Sequence, residues 1–359
     1  MILKDNSLNS FISLIRTGIG NHEDCTSQEL YWLEIWEHAN KQNLQAVLID
    51  GIENLPIDKR PPKELLIQWI GSILKDYDYR YELYCRAISE LAAFYNSHGL
   101  KMMLLKGYAC GLDWYKPEHR PYGDIDIWLF GKQKEADAVL VKEKGITIDK
   151  SHQHHTVFSW RGFSIENHYD FINVHHHKSN ADFEKILKEL GQDDSHSIEV
   201  GGEKVYLPSA NLNALFLLKH NMIHFAAEGI TLRQLLDWAF FVEKHSAEID
   251  WRWLEDVLDR FGMKKLYDIF NAICVDDLGF DVTLFNSIQF DPILKERVLG
   301  EILSPKFPIE PPKGLFDRIP FKLHRWKENA WKHKLCYKES MWSAFWSGVW
   351  NHILKPSSI

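Results

Sequence analysis

The stretch Arg120-Pro121-Tyr122-Gly123-Asp124-Ile125-Asp126-Ile127-Trp128-Leu129 decides how this chain is organised. Asp124 and Asp126 lie two residues apart in an apolar run, and the side chains of a β-strand alternate between two faces. We therefore expect both carboxylates on one face, with Ile125 and Ile127 pointing into a core on the other. Two like charges held this close repel each other unless a cation lies between them. Paired carboxylates of this kind are suitable oxygen ligands for Mg²⁺.

The residues around this strand predict a small mixed sheet. Upstream, Leu104-Leu105-Lys106-Gly107 predicts a short strand followed by a tight turn at Gly107, and 108–115 predicts a short helix. Downstream, 132–144 has the pattern of a charged helix. Two alternating runs then follow, 154–160 and 163–169, separated by Arg161-Gly162, which is a hairpin signal. A second hairpin is predicted at Gly201-Gly202. Strands and helices in this order give a mixed α/β sheet.

Both ends of the chain are predicted to be helical, so the fold class is α+β. The run 63–98 carries apolar residues at helical spacing over roughly nine turns, and 208–224 and 232–244 read as two amphipathic helices. We divide the chain into a helical N-terminal region (1–98), an α/β core (99–207) and a helical C-terminal region (208–359). Proline-rich 305–320 is predicted to be an extended connector. The Trp-rich, basic tail 322–354 is expected to pack on its own protein, with a membrane surface as the alternative.

Composition limits the classes of function. The chain has 359 residues, 45% of them apolar, which is enough for two domains with buried cores. Its net charge of −8 argues against long nucleic acid as a partner. The five cysteines are scattered without CxxC spacing, which favours a reducing compartment over a disulfide framework. Neither a signal-peptide core nor an uncharged apolar run of membrane-spanning length is present, so we expect a cytoplasmic protein.

A third carboxylate follows on a later strand. In Ser164-Ile165-Glu166-Asn167-His168-Tyr169, Glu166 and His168 share one face. Three carboxylates on neighbouring strands can hold one or two Mg²⁺ ions, which bridge the phosphates of a nucleotide and neutralise charge in the transition state. In that arrangement Gly107 would allow close approach of a triphosphate, and Lys106 and Arg120 are candidate phosphate partners.

These residues also carry a family resemblance over roughly 85–245. Lys106-Gly107, Tyr115-x-Pro117-x-x-Arg120-x-x-x-Asp124-Ile125-Asp126 and Ile165-Glu166-x-His168 resemble an uncharacterised bacterial nucleotidyltransferase family of the DNA polymerase β-like superfamily. The downstream Arg233-x-x-x-Asp237 segment, preceded by His220 and His224, is also similar to that family.

The resemblance implies a minimal nucleotidyltransferase sheet. Asp124 and Asp126 are then metal ligands, and Glu166 is the third carboxylate, which helps to deprotonate an acceptor hydroxyl. The cofactor is Mg²⁺, with Mn²⁺ as the alternative metal. The substrates are a nucleoside triphosphate and an unknown acceptor, which is a small molecule, a sugar or a protein. In one departure, Lys106-Gly107 replaces the usual Gly-Ser pair of the superfamily, so a hydroxyl contact to phosphate is missing.

Three functions stay open at this point. The first is nucleotidyl transfer with catalytic Asp124, Asp126 and Glu166, in which Lys106, Gly107, Arg120 and His168 bind substrate. The second is a catalytically degenerate relative that binds a nucleotide or a partner, which the missing Gly-Ser pair supports. The third is a metal-dependent phosphohydrolase, which requires His168 and the histidines of 152–155 to lie near the carboxylates. Base preference and oligomeric state are left open.

The other histidines and one ion pair have simpler interpretations. His152, His154 and His155 form one cluster and 175–177 another. Alternating or adjacent histidines can bind zinc, but 175–177 match no zinc spacing well, and both clusters are expected at the surface or on phosphate. His220 and His224 are one helical turn apart, and packing or substrate contact is favoured over half of a metal site. Arg233 and Asp237 have the spacing of an ion pair on a helix surface.

Overall fold

The computed structural model describes residues 6–21, 30–175, 177–286, 288–307 and 315–342. It contains helices before, within and after one six-stranded sheet. The strands are β1 (Met103–Leu104), β2 (Ile125–Trp128), β3 (His155–Trp160), β4 (Phe163–His168), β5 (Ser197–Val200) and β6 (Glu203–Tyr206).

The helices that precede or interrupt the sheet are α1 (Asn6–Gly18), α2 (Trp32–Gln42), α3 (Gln45–Glu53), α4 (Lys63–Ile73), α5 (Tyr79–Ser97), α6 (Gly107–Gly111), α7 (Gln133–Lys144) and α8 (Lys178–Leu190). The helices that follow it are α9 (Ala210–Ala227), α10 (Leu232–His245), α11 (Trp251–Phe261), α12 (Lys264–Asp276), α13 (Pro292–Leu303), α14 (Leu315–Glu328) and α15 (Ala330–Cys336). A π-helical turn, Leu74–Asp78, joins α4 to α5 without a break.

The sheet is mixed, with strand order β3-β4-β2-β1-β6-β5. The strand β2 runs parallel to β4 and antiparallel to β1, and β1 runs parallel to β6. Two antiparallel hairpins, β3–β4 and β5–β6, form its two edges. The strand that carries Asp126 therefore lies in the interior of the sheet, where a neighbour on each side fixes its register.

Each face of the sheet packs on a different core. One core joins Ile125, Ile127 and Ile165 to α5 and α7, through residues such as Leu91 and Leu140. This arrangement confirms that the isoleucines of the 120–129 stretch point away from the aspartates.

The opposite face contributes Met103, Trp128 and Tyr206 to a larger core, which the helices of both ends of the chain share. Within that core α1 and α3 are in backbone contact, because a Cβ on Gly51 would lie 2.1 Å from the Leu14 carbonyl oxygen.

The structure confirms the α+β class and both predicted hairpins. The extended connector predicted for 305–320 is wrong at its C-terminal end, because Pro320 lies inside α14. A single proline removes one backbone hydrogen bond, and a helix can accommodate it by bending. The helix predicted for 108–115 ends earlier, at Gly111.

The C-terminal tail is described only up to residue 342. There Trp331 packs edge-on against Phe225, with the guanidinium of Arg297 3.9 Å from its ring centroid, as expected for a tail that folds back. Trp346 and Trp350 lie outside the described residues. Among the described helices, none has the length and apolarity needed to cross a membrane. Cys85, Cys110, Cys274 and Cys336 are free thiols.

Candidate active site

The strand register brings the predicted carboxylates together. Asp126 on β2 is the direct partner of Glu166 on β4, and in the same pairing Trp128 lies opposite His168. Residues that are partners across two strands point to the same face, so Asp126, Glu166 and His168 share one side of the sheet. The antiparallel neighbour β3 adds His155, the partner of His168.

This face forms the floor of a cleft of about 1080 Å³. All seven predicted site residues line it: Asp124, Asp126, Glu166, Lys106, Gly107, Arg120 and His168. The opposite wall comes from the C-terminal helices, with Asn221 and Arg233 from α9 and α10 and Trp326 from α14. The cleft therefore lies between the sheet and helices that are distant in the sequence.

Asp126 is the most enclosed carboxylate in the cleft. It is 3% exposed, and its Oδ1 lies 2.6 Å from Lys106 Nζ and accepts a 2.9 Å hydrogen bond from His168 Nε2. Burial alone would raise the pKa of Asp126, but the positive charge of Lys106 and the hydrogen bond from His168 lower it well below its usual range. Lys106 thus places a positive charge beside the carboxylate pair.

His168 links two carboxylates. Besides donating to Asp126, its Nε2 lies 3.5 Å from Glu166 Oε2. Burial would lower the pKa of His168, yet the hydrogen bonds to Asp126 and Glu166 raise it to about 9. Burial would raise the pKa of Glu166, but the hydrogen bond from His168 and the positive charge of Lys106 together lower it. Near neutral pH the cluster therefore pairs two carboxylates with two cations, Lys106 and His168.

Asp124 is more open than Asp126. It lies immediately before β2, with its side chain exposed to the cleft, while its main-chain oxygen accepts a 2.7 Å hydrogen bond from the Tyr84 hydroxyl. The walls of the cleft partly desolvate the carboxylate and Asp126 adds a like charge, so the pKa of Asp124 is raised.

The turn before α6 places its unusual backbone at Lys106, not at Gly107. Lys106 has φ 40° and ψ −124°, a region that L-residues rarely adopt, whereas Gly107 begins the helix. A Cβ on Gly107 would lie 2.7 Å from the Tyr84 hydroxyl, so this glycine makes room for Tyr84. The tight turn was therefore predicted one residue too late. The ammonium of Lys106 lies against Asp126.

Arg120 is committed to a buried ion pair. It is 4% exposed, and its Nε and Nη2 donate to the two carboxylate oxygens of Asp237 at 2.8 and 3.0 Å. The same carboxylate accepts hydrogen bonds from Trp114 Nε1 and Arg233, each at 2.9 Å. The expectation of an exposed Arg233–Asp237 pair is therefore wrong, because Asp237 is 5% exposed. Sequence spacing revealed only its contact with Arg233, since Trp114 and Arg120 are more than 100 residues away.

The histidines divide into three groups. His154 and His155 lie beside His168, while His152 is exposed. Burial lowers the pKa of His154 to about 2 and that of His155 to about 4, with the positive charge of His168 acting in the same direction, so both imidazoles are neutral near pH 7. A surface position is therefore wrong for His155, which is 5% exposed, whereas contact with phosphate stays a prediction for both.

The other two groups lie on the far wall of the cleft. His177 donates to Glu339 at 3.1 Å and stacks on Tyr337, and His220 and His224 have ring centroids 4.4 Å apart. His177, His220, His224 and Tyr337 all line the cleft. His176 lies outside the described residues.

The donor atoms on the floor of the cleft fit a metal ion. One carboxylate oxygen each of Asp126 and Glu166 lie within 4.8 Å of each other and of a nitrogen of His168, which donates to Asp126. Two carboxylates provide the oxygen ligands that Mg²⁺ and Mn²⁺ take. Among the described residues Asp124 is not a member of this group, but it faces the same cleft.

Comparison with known proteins agrees with this geometry. The model of a family described as uncharacterised nucleotidyltransferase matches residues 28–276, more than half of the chain. The chain belongs to this family. The resemblance seen in the sequence is thereby confirmed, and membership of a nucleotidyltransferase family implies a transferase with a nucleotide substrate. Comparisons with curated proteins and with solved structures gave no match.

Proposed function

We propose that this protein is a Mg²⁺-dependent nucleotidyltransferase that moves a nucleoside monophosphate from a nucleoside triphosphate to an acceptor. The observation that carries the proposal is the register of β2 and β4, which pairs Asp126 with Glu166 on the floor of the cleft. In this role Asp124, Asp126 and Glu166 hold the metal, with Mn²⁺ as the alternative ion. When bound, the ion polarises the phosphates and neutralises charge that develops on them.

The residues of the chain supply the remaining chemistry. The acceptor hydroxyl attacks the α-phosphorus, the bond from that phosphorus to the bridging oxygen breaks, and pyrophosphate leaves. Glu166, half-buried and with a lowered pKa, is ionised near neutral pH and accepts the proton of the hydroxyl. Lys106 and His168 lie beside Asp126 with positive charge and are placed to contact phosphate oxygens.

The other two predicted substrate residues act less directly. Gly107 lines the cleft next to Lys106, and its missing side chain makes room for Tyr84, which bonds the main chain of Asp124. Arg120 also lines the cleft, but its guanidinium is held by Asp237, so we assign it a positioning role for the segment that leads into β2. Arg233 donates to the same carboxylate and is 22% exposed, which makes it the more accessible arginine for a phosphate.

The acceptor is a small molecule, a sugar or a protein side chain. The net charge of −8 disfavours long nucleic acid. The cleft has room for a nucleotide and a second ligand of moderate size, and its far wall offers Trp326 and Tyr337 for aromatic contacts. We keep the prediction of a cytoplasmic location.

Two other functions each have one supporting observation. A catalytically degenerate relative is favoured by Lys106, whose ammonium already neutralises Asp126 in the place of the usual Gly-Ser pair. A phosphohydrolase is favoured by His154 and His155, which do lie close to the carboxylates. The three functions predict different fates for the nucleotide: transfer, hydrolysis, or binding without reaction. One set of experiments therefore separates them.

The first experiment measures thermal stability with ATP, CTP, GTP and UTP, with and without Mg²⁺. A ligand at about 100 times its dissociation constant should stabilise the native protein by about 2.7 kcal/mol. We expect a Mg²⁺-dependent shift with at least one nucleotide in the wild type and in the exposed control Asp194→Asn. The shift should be lost in Asp126→Asn.

Product analysis with an α-labelled nucleotide then separates the functions. Label that moves to an acceptor, with release of pyrophosphate, supports nucleotidyl transfer. Label found only in free nucleoside monophosphate or diphosphate supports phosphohydrolysis. Binding without any product supports the degenerate relative, and no shift with any nucleotide contradicts the proposal altogether.

A further inference from the structure

Two histidines beside the carboxylates have no role in the proposed transfer. His154 and His155 lie just before and at the start of β3, and His155 is the strand partner of His168. His155 is 5% exposed, and within the described part of the chain neither of its ring nitrogens has a hydrogen-bond partner. His154 Nδ1 is also buried without a partner there. Buried polar atoms are normally satisfied, so three such nitrogens in one place require an explanation.

The three imidazoles converge. His154, His155 and His168 each offer one nitrogen, and these atoms lie within 4.8 Å of one another. Three nitrogens bound to one zinc ion at about 2.0–2.1 Å would be about 3.3 Å apart. Small rotations of the His154 and His155 rings would close that difference, and those rotations would break no hydrogen bond at their unpartnered nitrogens.

The chemistry of these donors differs from that of the carboxylate group. Imidazole nitrogen suits Zn²⁺ and similar transition metals, whereas Mg²⁺ takes oxygen ligands. Metal binds an imidazole nitrogen that carries no proton, and the buried nitrogens of His154 and His155 donate to no partner within the described residues. Glu166 Oε1 lies 3.8 Å from His155 Nε2 and adds a negative charge beside the three nitrogens.

We infer that His154, His155 and His168 form a binding site for a divalent transition-metal ion, with Zn²⁺ as its occupant and Glu166 adjacent as a fourth donor. The site lies next to the carboxylates that we assign to Mg²⁺. His168, one of its ligands, also contacts two of those carboxylates, Asp126 and Glu166. At His168 the ion replaces one of the two hydrogen bonds of the ring, which join Nε2 to Asp126 and Nδ1 to the main-chain oxygen of Asp170. This inference does not depend on nucleotidyl transfer, since it concerns metal binding without nucleotide.

The test uses the full-length, untagged protein, first freed of metal with a chelator and then titrated with Co²⁺. We expect one equivalent of Co²⁺ to produce visible d–d absorption bands. Zn²⁺ should abolish these bands, and a large excess of Mg²⁺ should leave them unchanged. If the wild-type protein shows no such bands, or loses them when Mg²⁺ is added, the assignment is wrong, and no variant is needed to reach that conclusion.

Variants locate the ion. The double variant His154→Gln/His155→Gln should bind Co²⁺ and Zn²⁺ at least about tenfold more weakly than the wild type. The control His196→Gln, an exposed histidine in the turn before β5, should bind like the wild type. Asp124→Asn removes a carboxylate of the nucleotide site, keeps all three imidazoles and should retain the Co²⁺ bands. The same affinity in the wild type and the double variant would refute the site, whatever the outcome of the nucleotide experiments.

Discussion

Asp237→Asn directly tests whether a buried ion pair holds Arg120 in the wall of the cleft. The carboxylate of Asp237 accepts four hydrogen bonds, two from Arg120, one from Trp114 and one from Arg233. Asparagine keeps one oxygen and places an amide N–H₂ against the guanidinium groups that bonded the other. Arg120, which is 4% exposed, is then left buried without a countercharge.

The expected cost follows from this burial. Removing one partner of a buried ion pair destabilises a protein by about 3–5 kcal/mol, because the remaining charge stays desolvated. We expect Asp237→Asn to lower the free energy of unfolding in urea by at least about 3 kcal/mol. The double variant Arg120→Met/Asp237→Leu removes both charges and should lose less than the single variant, since replacing a buried pair by apolar groups is often neutral.

The matched control is Asp194→Asn, whose carboxylate pairs with Lys101 and is 43% exposed. Exposed pairs contribute about 0–1 kcal/mol, so this variant should unfold almost like the wild type. If Asp237→Asn also loses less than about 1 kcal/mol, Arg120 is not held by Asp237. Its role as a direct phosphate ligand, as first predicted from the sequence, would then be restored.

Two further predictions concern Lys106 and Lys219. Lys106→Met should cost about 3 kcal/mol in Mg²⁺-free buffer, because Asp126 loses its nearest cation. Added Mg²⁺ should stabilise this variant more than it stabilises the wild type or Lys106→Arg. An equal gain in all three proteins would contradict the pairing of Lys106 with Asp126. Burial lowers the pKa of Lys219, which is 2% exposed, to about 8. The unfolded chain keeps this proton to higher pH, so wild-type stability relative to Lys219→Met should rise by about 2 kcal/mol from about pH 7 to about pH 9.5. If the difference in unfolding free energy between the wild type and Lys219→Met stays constant over this pH range, the prediction is wrong.

Local sequence signals predicted much of the sheet. The period-two alternation around Asp126 and around Glu166 identified two strands and the face of each that carries a carboxylate, because alternation is a property of the backbone itself. Arg161-Gly162 and Gly201-Gly202 marked the hairpins, since both turns place residues at positive φ. The α+β class followed from these strands together with the helical periodicity of the flanks.

The partners of the charged residues needed the folded chain. Nothing near Arg120 in the sequence indicates Asp237, and nothing near Asp126 indicates that Lys106 would neutralise it. The sequence predicted His154 and His155 at the surface or on phosphate, and only the β3–β4 pairing shows that His155 lies against His168. Contacts of this kind depend on strand register and helix packing, which short-range patterns do not encode.

The sequence by itself determined that this chain presents carboxylates on one face of a mixed sheet, since backbone periodicity and side-chain chemistry are local properties. Only the tertiary structure decided which groups balance those charges, because burial and distances of a few ångströms set the pKa of each group. It brought Lys106 and His168 to Asp126, held Arg120 on Asp237 and collected three imidazoles beside Glu166. The fold class could therefore be predicted from the residues, while the electrostatics of the cleft are a result of packing.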